Sequence, residues 1–379
     1  MEKKRILIVA GEASGDLHAS SLVREIKKLI PQAEFFGLGG KRLKDEGVNL
    51  YFDIVGLAVV GFFEVLKNLT KFKSIFQYVL TQTDKMKPDL AILVDYPGFN
   101  LRLAVELKKR RIPVIYYISP QVWAWGKKRI ETIKKVVDLM LVVFKFEEEL
   151  YREHSVPVSF VGHPLLDIVR PGVPKEELFS KIGFVPGKLT LSLLPGSREK
   201  EVRALLPIML EASRLIHKEM PESQFLILRS PTVKEEIFTG ISSKYKIPLA
   251  TIQDMTYEGI LASDFCLVAS GTATLETAIL CVPMAILYKV SFLTWAYIKM
   301  LIRIPYIGLV NVIYGEKVVE EFIQSRAKPE LIARHVTGLL KDSQKLDRIK
   351  TRLYNTRGLL GENGASQRAS RIIADFLKR

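Results

Sequence analysis

The chain has 379 residues, 48% of them hydrophobic, with 18 prolines and a net charge of +15. That length exceeds one hydrophobic core, so two domains of about 150–200 residues are expected, and the composition excludes a disordered chain. No apolar run reaches the ~20 residues that span a bilayer, and Met1-Glu2-Lys3-Lys4-Arg5 leads into a short strand without a signal-peptide core, so a cytoplasmic protein is expected.

The first predicted strand, Arg5–Ala10, runs into Gly11-Glu12-Ala13-Ser14-Gly15-Asp16-Leu17-His18. This loop fits neither GxGxxG nor a Walker pattern. Its small residues admit a ligand closely, and Glu12, Ser14, Asp16 and His18 suit sugar hydroxyls; a tight turn capped by Ser14 or Asp16 accounts for the same residues equally well. The stretch 55–67, with Val59, Phe62, Phe63 and Leu66, continues through Phe72, Ile75 and Phe76 with Lys71 and Lys73 interleaved. It holds more apolar residues than one buried helix face needs, which suits a membrane interface or acyl chains, although core packing or a dimer contact competes closely.

A strand predicted over Ala91–Val94 ends at Asp95-Tyr96-Pro97-Gly98-Phe99-Asn100. A carboxylate fixed at a strand end and opening on a loop is well placed as a general base, and Asp95 is the best candidate. Turn chemistry before Pro97 is the competing role, and Asn100 reads as the N-cap of a helix over Leu101–Arg110. Strands at Val114–Ile118, Leu139–Phe144 and Ser159–Val161 follow. The loop after the first of these, Ser119-Pro120-Gln121-Val122-Trp123-Ala124-Trp125, precedes Lys127-Lys128-Arg129. Gln121 and Trp123 are candidates for a saccharide or phosphate-bearing ligand, against plain local packing of the tryptophans.

Beyond the crossing at 169–174, strands are predicted over Leu189–Leu194, Gln224–Leu228, Phe265–Ala269 and Met284–Tyr288. The alternation with helical patterns predicts two α/β, doubly wound domains, whose ligands lie outside the carboxyl ends of the strands. At one such end, Pro195-Gly196-Ser197-Arg198 brings a guanidinium that grips phosphate with two parallel hydrogen bonds; an ion pair with Glu199 or Glu201 is the plainer role. At another, the Ser270-Gly271-Thr272 turn opens a helix, where backbone N–H groups and aligned peptides favour a diphosphate. Glu276, one turn on, can accept hydrogen bonds from ribose hydroxyls, and a capping box does not explain it because its partner three residues back is Ala273. Phe292–Leu309, with Trp295, Lys299 and Arg303, is a second apolar-basic stretch.

The positive charge asks for an anionic partner, whether nucleic acid, phosphorylated substrate or acidic membrane. The clusters 108–111 and 127–129 lack interleaved aromatics, which disfavours nucleic acid. Cys266 and Cys281 lie in apolar runs without a CxxC, and the five histidines form no HExxH pattern, so neither a disulfide framework nor a metal is expected.

The segments AGEASGDLHAS (10–20), DYPGFN (95–100), SPQVWAW (119–125), VGHPLLD (161–167), LPGSREKEV (194–202) and SGTATLETA (270–278), in this order, resemble the lipid-A-disaccharide synthase family. The resemblance implies a GT-B fold of two Rossmann-like domains facing across a cleft. Residues 1–168 would bind the acceptor and the membrane, 169–364 the UDP-sugar, and 365–379 would form a helix docked on a domain surface. The implied reaction is an inverting transfer from UDP-2,3-diacylglucosamine to 2,3-diacylglucosamine 1-phosphate, giving the β-1,6-linked disaccharide and UDP in lipid A biosynthesis. It implies peripheral association with the inner face of the cytoplasmic membrane and leaves a homo-oligomer open.

Carried over by motif, Asp95 takes the proton of the acceptor 6-hydroxyl and Arg198 binds the diphosphate. Ser270, Gly271 and Thr272 line the phosphate seat, Glu276 holds the ribose, and Asn311 lies near the nucleotide with Glu321 and Gln324 downstream. The chain departs from the pattern at Glu316, where many members have arginine, and at Glu320, which replaces a proline; Lys317 is the nearest cation that could substitute. No DxD motif occurs, so neither metal nor cofactor is expected. A UDP-sugar epimerase and a non-enzymatic membrane lipid-binding protein are the rival readings; the apolar stretch around Phe62 argues against the first, and the joint presence of Asp95, Arg198 and Glu276 against the second.

Overall fold

The computed structural model describes residues 3–54, 69–125, 127–301 and 305–378. The chain divides into one unit of Met1–Asp167 with Leu360–Arg379, and a second of Ile168–Leu359. The first is built on a seven-stranded sheet of β1 (Arg5–Ala10), β2 (Glu34–Gly39), β3 (Asn49–Asp53), β4 (Leu90–Val94), β5 (Val114–Tyr117), β6 (Leu139–Val142) and β7 (Val158–Phe160). All pairings are parallel, in the order β3-β2-β1-β4-β5-β6-β7. The second holds a six-stranded parallel sheet of β8 (Leu189–Leu194), β9 (Ser223–Arg229), β10 (Leu249–Gln253), β11 (Phe265–Ala269), β12 (Met284–Tyr288) and β13 (Glu321–Ile323), in the order β10-β9-β8-β11-β12-β13.

Helices cover both faces of each sheet, which is why central strands such as β4 and β11 are buried at every residue and read as unbroken apolar runs. Strand order reverses between β1 and β4 in the first sheet and between β8 and β11 in the second. At such a switch point the connecting helices leave on opposite faces and open a crevice at the carboxyl ends of the strands.

Four strands carry weak sequence signals. In β2, Glu34-Phe35-Phe36-Gly37-Leu38-Gly39, a Cβ added at Gly37 would lie 1.9 Å from the Ile8 carbonyl oxygen, and the register with β3 shifts between Gly37 and Leu38. A glycine there permits close backbone approach at a bulge while breaking the apolar pattern. The edge strands β3 and β10 are largely exposed or half-buried, and β13 is three residues long.

The final helix, Ala365–Phe376, belongs to the first unit and packs on helix Ala13–Leu29. Asp167 caps it, its two carboxylate oxygens accepting from the backbone N–H groups of Gly364 at 2.6 Å and Ala365 at 3.1 Å. Arg368 ties it further to the Val161, Asn363 and Glu362 carbonyls. Of the proposed apolar contact residues, Val59, Phe62, Phe63 and Leu66 lie outside the described residues, while Phe72 is partly buried against the core of the first unit. The basic cluster at 108–111 is largely paired: Lys108 with Asp138, Lys109 with Glu106, and Arg110 with both Asp84 and Glu106.

Candidate functional site

At the switch point of the first sheet, β4 ends in two successive non-glycine residues with left-handed backbone, Asp95 (φ 45°) and Tyr96 (φ 51°). Helix Pro97–Lys109 starts immediately after them, with Pro97 at its first position. Asn100 is therefore inside the helix and is not its N-cap, which corrects the sequence reading. It is fully buried, and its Nδ2 donates to the carbonyls of Asp95 at 2.7 Å and Val94 at 3.1 Å, with a longer contact to Val9 at 3.5 Å. The buried Tyr116 hydroxyl donates to the same Asp95 carbonyl at 2.5 Å, and the Asp95 N–H donates to Tyr117 O at 3.1 Å. These bonds hold the strained turn and leave the half-buried Asp95 side chain at the strand end.

The first loop lies beside this turn. A Cβ at Gly11 would fall 2.2 Å from the Tyr96 ring, so only glycine fits under it. Burial and the Glu12 charge raise the Tyr96 pKa. Glu12 sits at the N-cap position of helix Ala13–Leu29, and Ser14 is half-buried in its first turn. The buried Asp16 carboxylate accepts the N–H groups of Gly40, Arg42 and Leu43 at 2.7, 3.0 and 3.3 Å and so caps helix Lys41–Asp45. His18 is buried edge-on to His163, 6.2 Å between centroids, and burial lowers their pKa values to about 4 and about 3. Both are neutral near pH 7.

After β5, Gln121 is exposed and Trp123 half-buried. The Trp123 ring meets Phe146 edge-on at 5.5 Å, and its indole N–H donates to Glu147 Oε1 at 3.2 Å. Glu147 is missing from the sequence reading because it stands in Phe146-Glu147-Glu148-Glu149, which looks like a solvated acidic run. Its position in the first turn after β6 was the available signal.

In the second unit, Arg198 is the N-cap residue of helix Glu199–Glu219, four residues beyond the end of β8. Its guanidinium, half exposed, bonds Glu201 Oε1 at 3.0 Å, while Glu201 Oε2 accepts the Ser197 N–H at 3.3 Å. Tyr288, at the end of β12, feels both charges, although burial is the main cause of its raised pKa. On the adjacent strand β11, the Ser270-Gly271-Thr272 turn opens helix Ala273–Ile279, with Gly271 exposed at φ 154°. Ser270 Oγ donates to Ile307 O at 3.0 Å. Burial pushes the Glu276 carboxyl up to about 7, opposed by a long hydrogen bond of 3.5 Å from the Tyr257 hydroxyl.

Asn311 and Glu321 lock a backbone segment from within. Asn311 is fully buried; its Oδ1 accepts from Val318 and Val319, and its Nδ2 donates to Val319 O and to Glu321 Oε1. Glu321 accepts the N–H groups of Ile307 and Gly308 at 3.1 and 2.9 Å. Glu321 thus fixes Ile307, the residue to which Ser270 is bonded, and Asn311 in turn holds Glu321. Gln324 (φ 52°) turns its amide to the Val290 backbone when its oxygen and nitrogen are placed to satisfy both groups. Glu316 pairs with Arg352, and Lys317 pairs with Glu320, which also holds Arg326, so the two departures from the motif are each engaged in ion pairs.

Among the described residues no group of three or more His, Cys, Asp or Glu is arranged to hold a metal, and no helix is long and apolar enough to cross a membrane. The lipid-A-disaccharide synthetase family model matches residues 6–376. Lipid-A-disaccharide synthase of Syntrophus aciditrophicus is 44% identical over 380 residues, covering 100% of this chain and 99% of that protein. The protein of the same name from Nitrosococcus oceani is 43% identical over 371 residues, covering 98% and 95%. Among solved structures, S. aureus MnaA with UDP aligns with a TM-score of 0.69 at 13% identity, covering 100% of this chain and 97% of that one. UDP-GlcNAc 2-epimerase of Neisseria meningitidis bound to UDP-GlcNAc gives 0.68 at 13%, covering 99% and 100%. These structural likenesses establish the two-sheet architecture common to GT-B glycosyltransferases and UDP-sugar epimerases, and the full-length sequence matches decide between them: the chain belongs to the lipid-A-disaccharide synthase family, enzymes of the GT-B glycosyltransferase type.

Proposed function

We propose that the chain transfers the diacylglucosaminyl group of UDP-2,3-diacylglucosamine to the 6-hydroxyl of 2,3-diacylglucosamine 1-phosphate with inversion. The hydroxyl oxygen forms a bond to C1 of the donor as the bond from C1 to the diphosphate oxygen breaks. The hydroxyl proton goes to the Asp95 carboxylate, and UDP leaves with the electron pair. Arg198 and the N–H groups of Gly271 and Thr272 take up the charge that grows on the leaving diphosphate, so no metal is assigned to that task. Glu276 accepts from the ribose hydroxyls. Asn100 and Tyr116 hold the base, and Asn311 with Glu321 holds the phosphate seat through Ile307.

The observation that carries this reading is positional. The sequence candidates for base and for diphosphate ligand fall at the two places where strand order reverses, Asp95 beside the Gly11–Glu12 loop and Arg198 beside the Ser270–Glu276 turn. The apolar stretch around Val59–Phe72 and the +15 charge support acyl binding at an anionic membrane, on the cytoplasmic side where UDP-sugars are available.

Mass spectrometry of products tests the assignment, with donor and acceptor incubated together in EDTA. Wild type is expected to form the disaccharide phosphate, and Asp95→Ala to lose at least about 10²-fold in rate, in the range of an essential acid or base. Conversion of the UDP-sugar in the absence of acceptor would point instead to epimerase chemistry, and activity recovered only with added magnesium would remove the metal-free assignment.

A further inference from the structure

One buried carboxyl near Asp95 has no part in the chemistry above. Glu147 lies in helix Lys145–Glu153, directly after β6, and is 1% exposed. A glutamate in the first turn ordinarily reaches back to cap its own helix or turns to solvent. Here the carboxyl does lie toward the Phe144 and Val143 backbone N–H groups, but Oε1 also accepts the Trp123 indole N–H at 3.2 Å, and Oε2 is buried without a hydrogen bond of good geometry among the described residues.

The loop after β5 is fastened to this helix at three points. Trp123 bonds Glu147, its ring stands edge-on to Phe146 at 5.5 Å, and the Ser119 hydroxyl meets the buried Tyr151 hydroxyl at 2.8 Å. The loop begins beside the base, since Tyr117 O accepts the Asp95 N–H and Tyr116 donates to the Asp95 carbonyl. A carboxyl is a costly choice for packing alone, because an apolar residue of similar size would avoid burying unmatched oxygen.

We infer that Glu147 is a positioning residue for the acceptor side of the site, anchoring the Trp123 indole so that the Ser119–Trp125 loop keeps its place beside Asp95. The inference rests on the reading of Asp95 as the base. Burial raises the Glu147 pKa to about 8, with the Asp95 charge adding to the shift. Tyr151 faces it from its own helix, its hydroxyl also held protonated by burial. Near neutral pH Glu147 is therefore an uncharged acid: it accepts from Trp123 without placing a second negative charge next to the base. Glutamine reproduces that acceptor, and leucine does not.

The test uses the full-length enzyme and the variants Glu147→Gln, Glu147→Leu, Trp123→Phe and Asp95→Ala. Tryptophan emission followed with pH is expected to titrate near 8 in wild type and to lose that transition in both Glu147→Gln and Trp123→Phe. Loss of the indole anchor in Glu147→Leu is expected to raise the acceptor KM about tenfold with little change in kcat, and Glu147→Gln to restore it, as for one buried hydrogen bond.

A transition that survives in Glu147→Gln overturns the proposal, as does a Glu147→Leu enzyme with wild-type acceptor KM. A kcat in Glu147→Gln as low as in Asp95→Ala overturns it differently, by making Glu147 a proton-transfer group. The emission measurement needs no turnover and stays decisive if Glu147→Leu fails to fold. Full activity of Asp95→Ala would instead sink the assignment of the base while leaving the Glu147–Trp123 contact standing.

Discussion

Asn100→Ala is the substitution that asks most of the structure, because one buried amide holds the turn that presents Asp95. Its Nδ2 serves the Asp95 and Val94 carbonyls at 2.7 and 3.1 Å, and alanine leaves Val94 O buried without that donor while Asp95 O keeps only Tyr116. An unsatisfied buried acceptor costs about 1–3 kcal/mol. Asp95 and Tyr96 both have left-handed backbone, at about 1–3 kcal/mol each for non-glycine residues, and relax once released. The two lost bonds together cost about 2–4 kcal/mol, and partial relaxation of the turn offsets about half of this, leaving a net destabilisation of about 1–2 kcal/mol in the first unit.

The catalytic consequence is larger in proportion. Relaxation of the turn moves the carboxylate, and a displacement of about 1 Å at a reacting group costs about 10²-fold in rate. Native-state hydrogen exchange of the β1 and β4 amides reads the stability term, and kcat at saturating donor and acceptor reads the placement of the base. Tyr116→Phe removes the second donor to the same carbonyl, so the double variant should lose less than the sum of the singles once the turn has already relaxed. An Asn100→Ala enzyme with wild-type kcat and unchanged exchange in both strands would refute the claim that this amide holds the base.

Two further outcomes follow from carboxylates in opposite roles. Glu276, with its pKa raised to about 7, accepts from ribose best when ionised, so the donor KM should fall as pH rises through 7, and Glu276→Gln should flatten that profile at a higher KM. In the free protein the sign reverses: a carboxyl raised above its unfolded value of 4.5 favours folding most at pH below 4.5 and loses that contribution as pH rises through about 7, which a denaturation series without UDP can follow. Asp167→Ala removes the cap from helix Ala365–Phe376 and is expected to cost about 1–2 kcal/mol locally, seen as faster hydrogen exchange in that helix with the second unit unaffected.

The parallel sheets were legible because strands buried on both faces are apolar almost throughout, and β1, β8, β11 and β12 have the predicted boundaries. β2 was not, since its glycines serve a bulge and a close backbone approach that no alternation pattern records. The polar residues divide by the same logic. Asp95, Arg198 and Glu276 could be found because each stands at, or within two turns of, the carboxyl end of a strand in sequence. Asp16, Asn311 and Glu321 fell in equally suggestive motifs, yet their side chains bond backbone groups in separate elements, and only the folded chain reveals those partners. Glu147 was hidden for the opposite reason: a run of three glutamates reads as surface, yet Glu147 and Glu148 are both buried, and the indole that Glu147 accepts from belongs to Trp123, 24 residues away.

The last helix gives the order of synthesis a structural meaning. Helix Ala13–Leu29 is made before the whole of the second unit, but the helix that lies on it is completed only at Phe376. The first unit thus receives its final helix only after the intervening unit has all of its residues. A fragment cut near residue 168 keeps every strand of the first sheet and still lacks a piece of that unit's outer layer, with Asp167 left at its new end and no helix to cap.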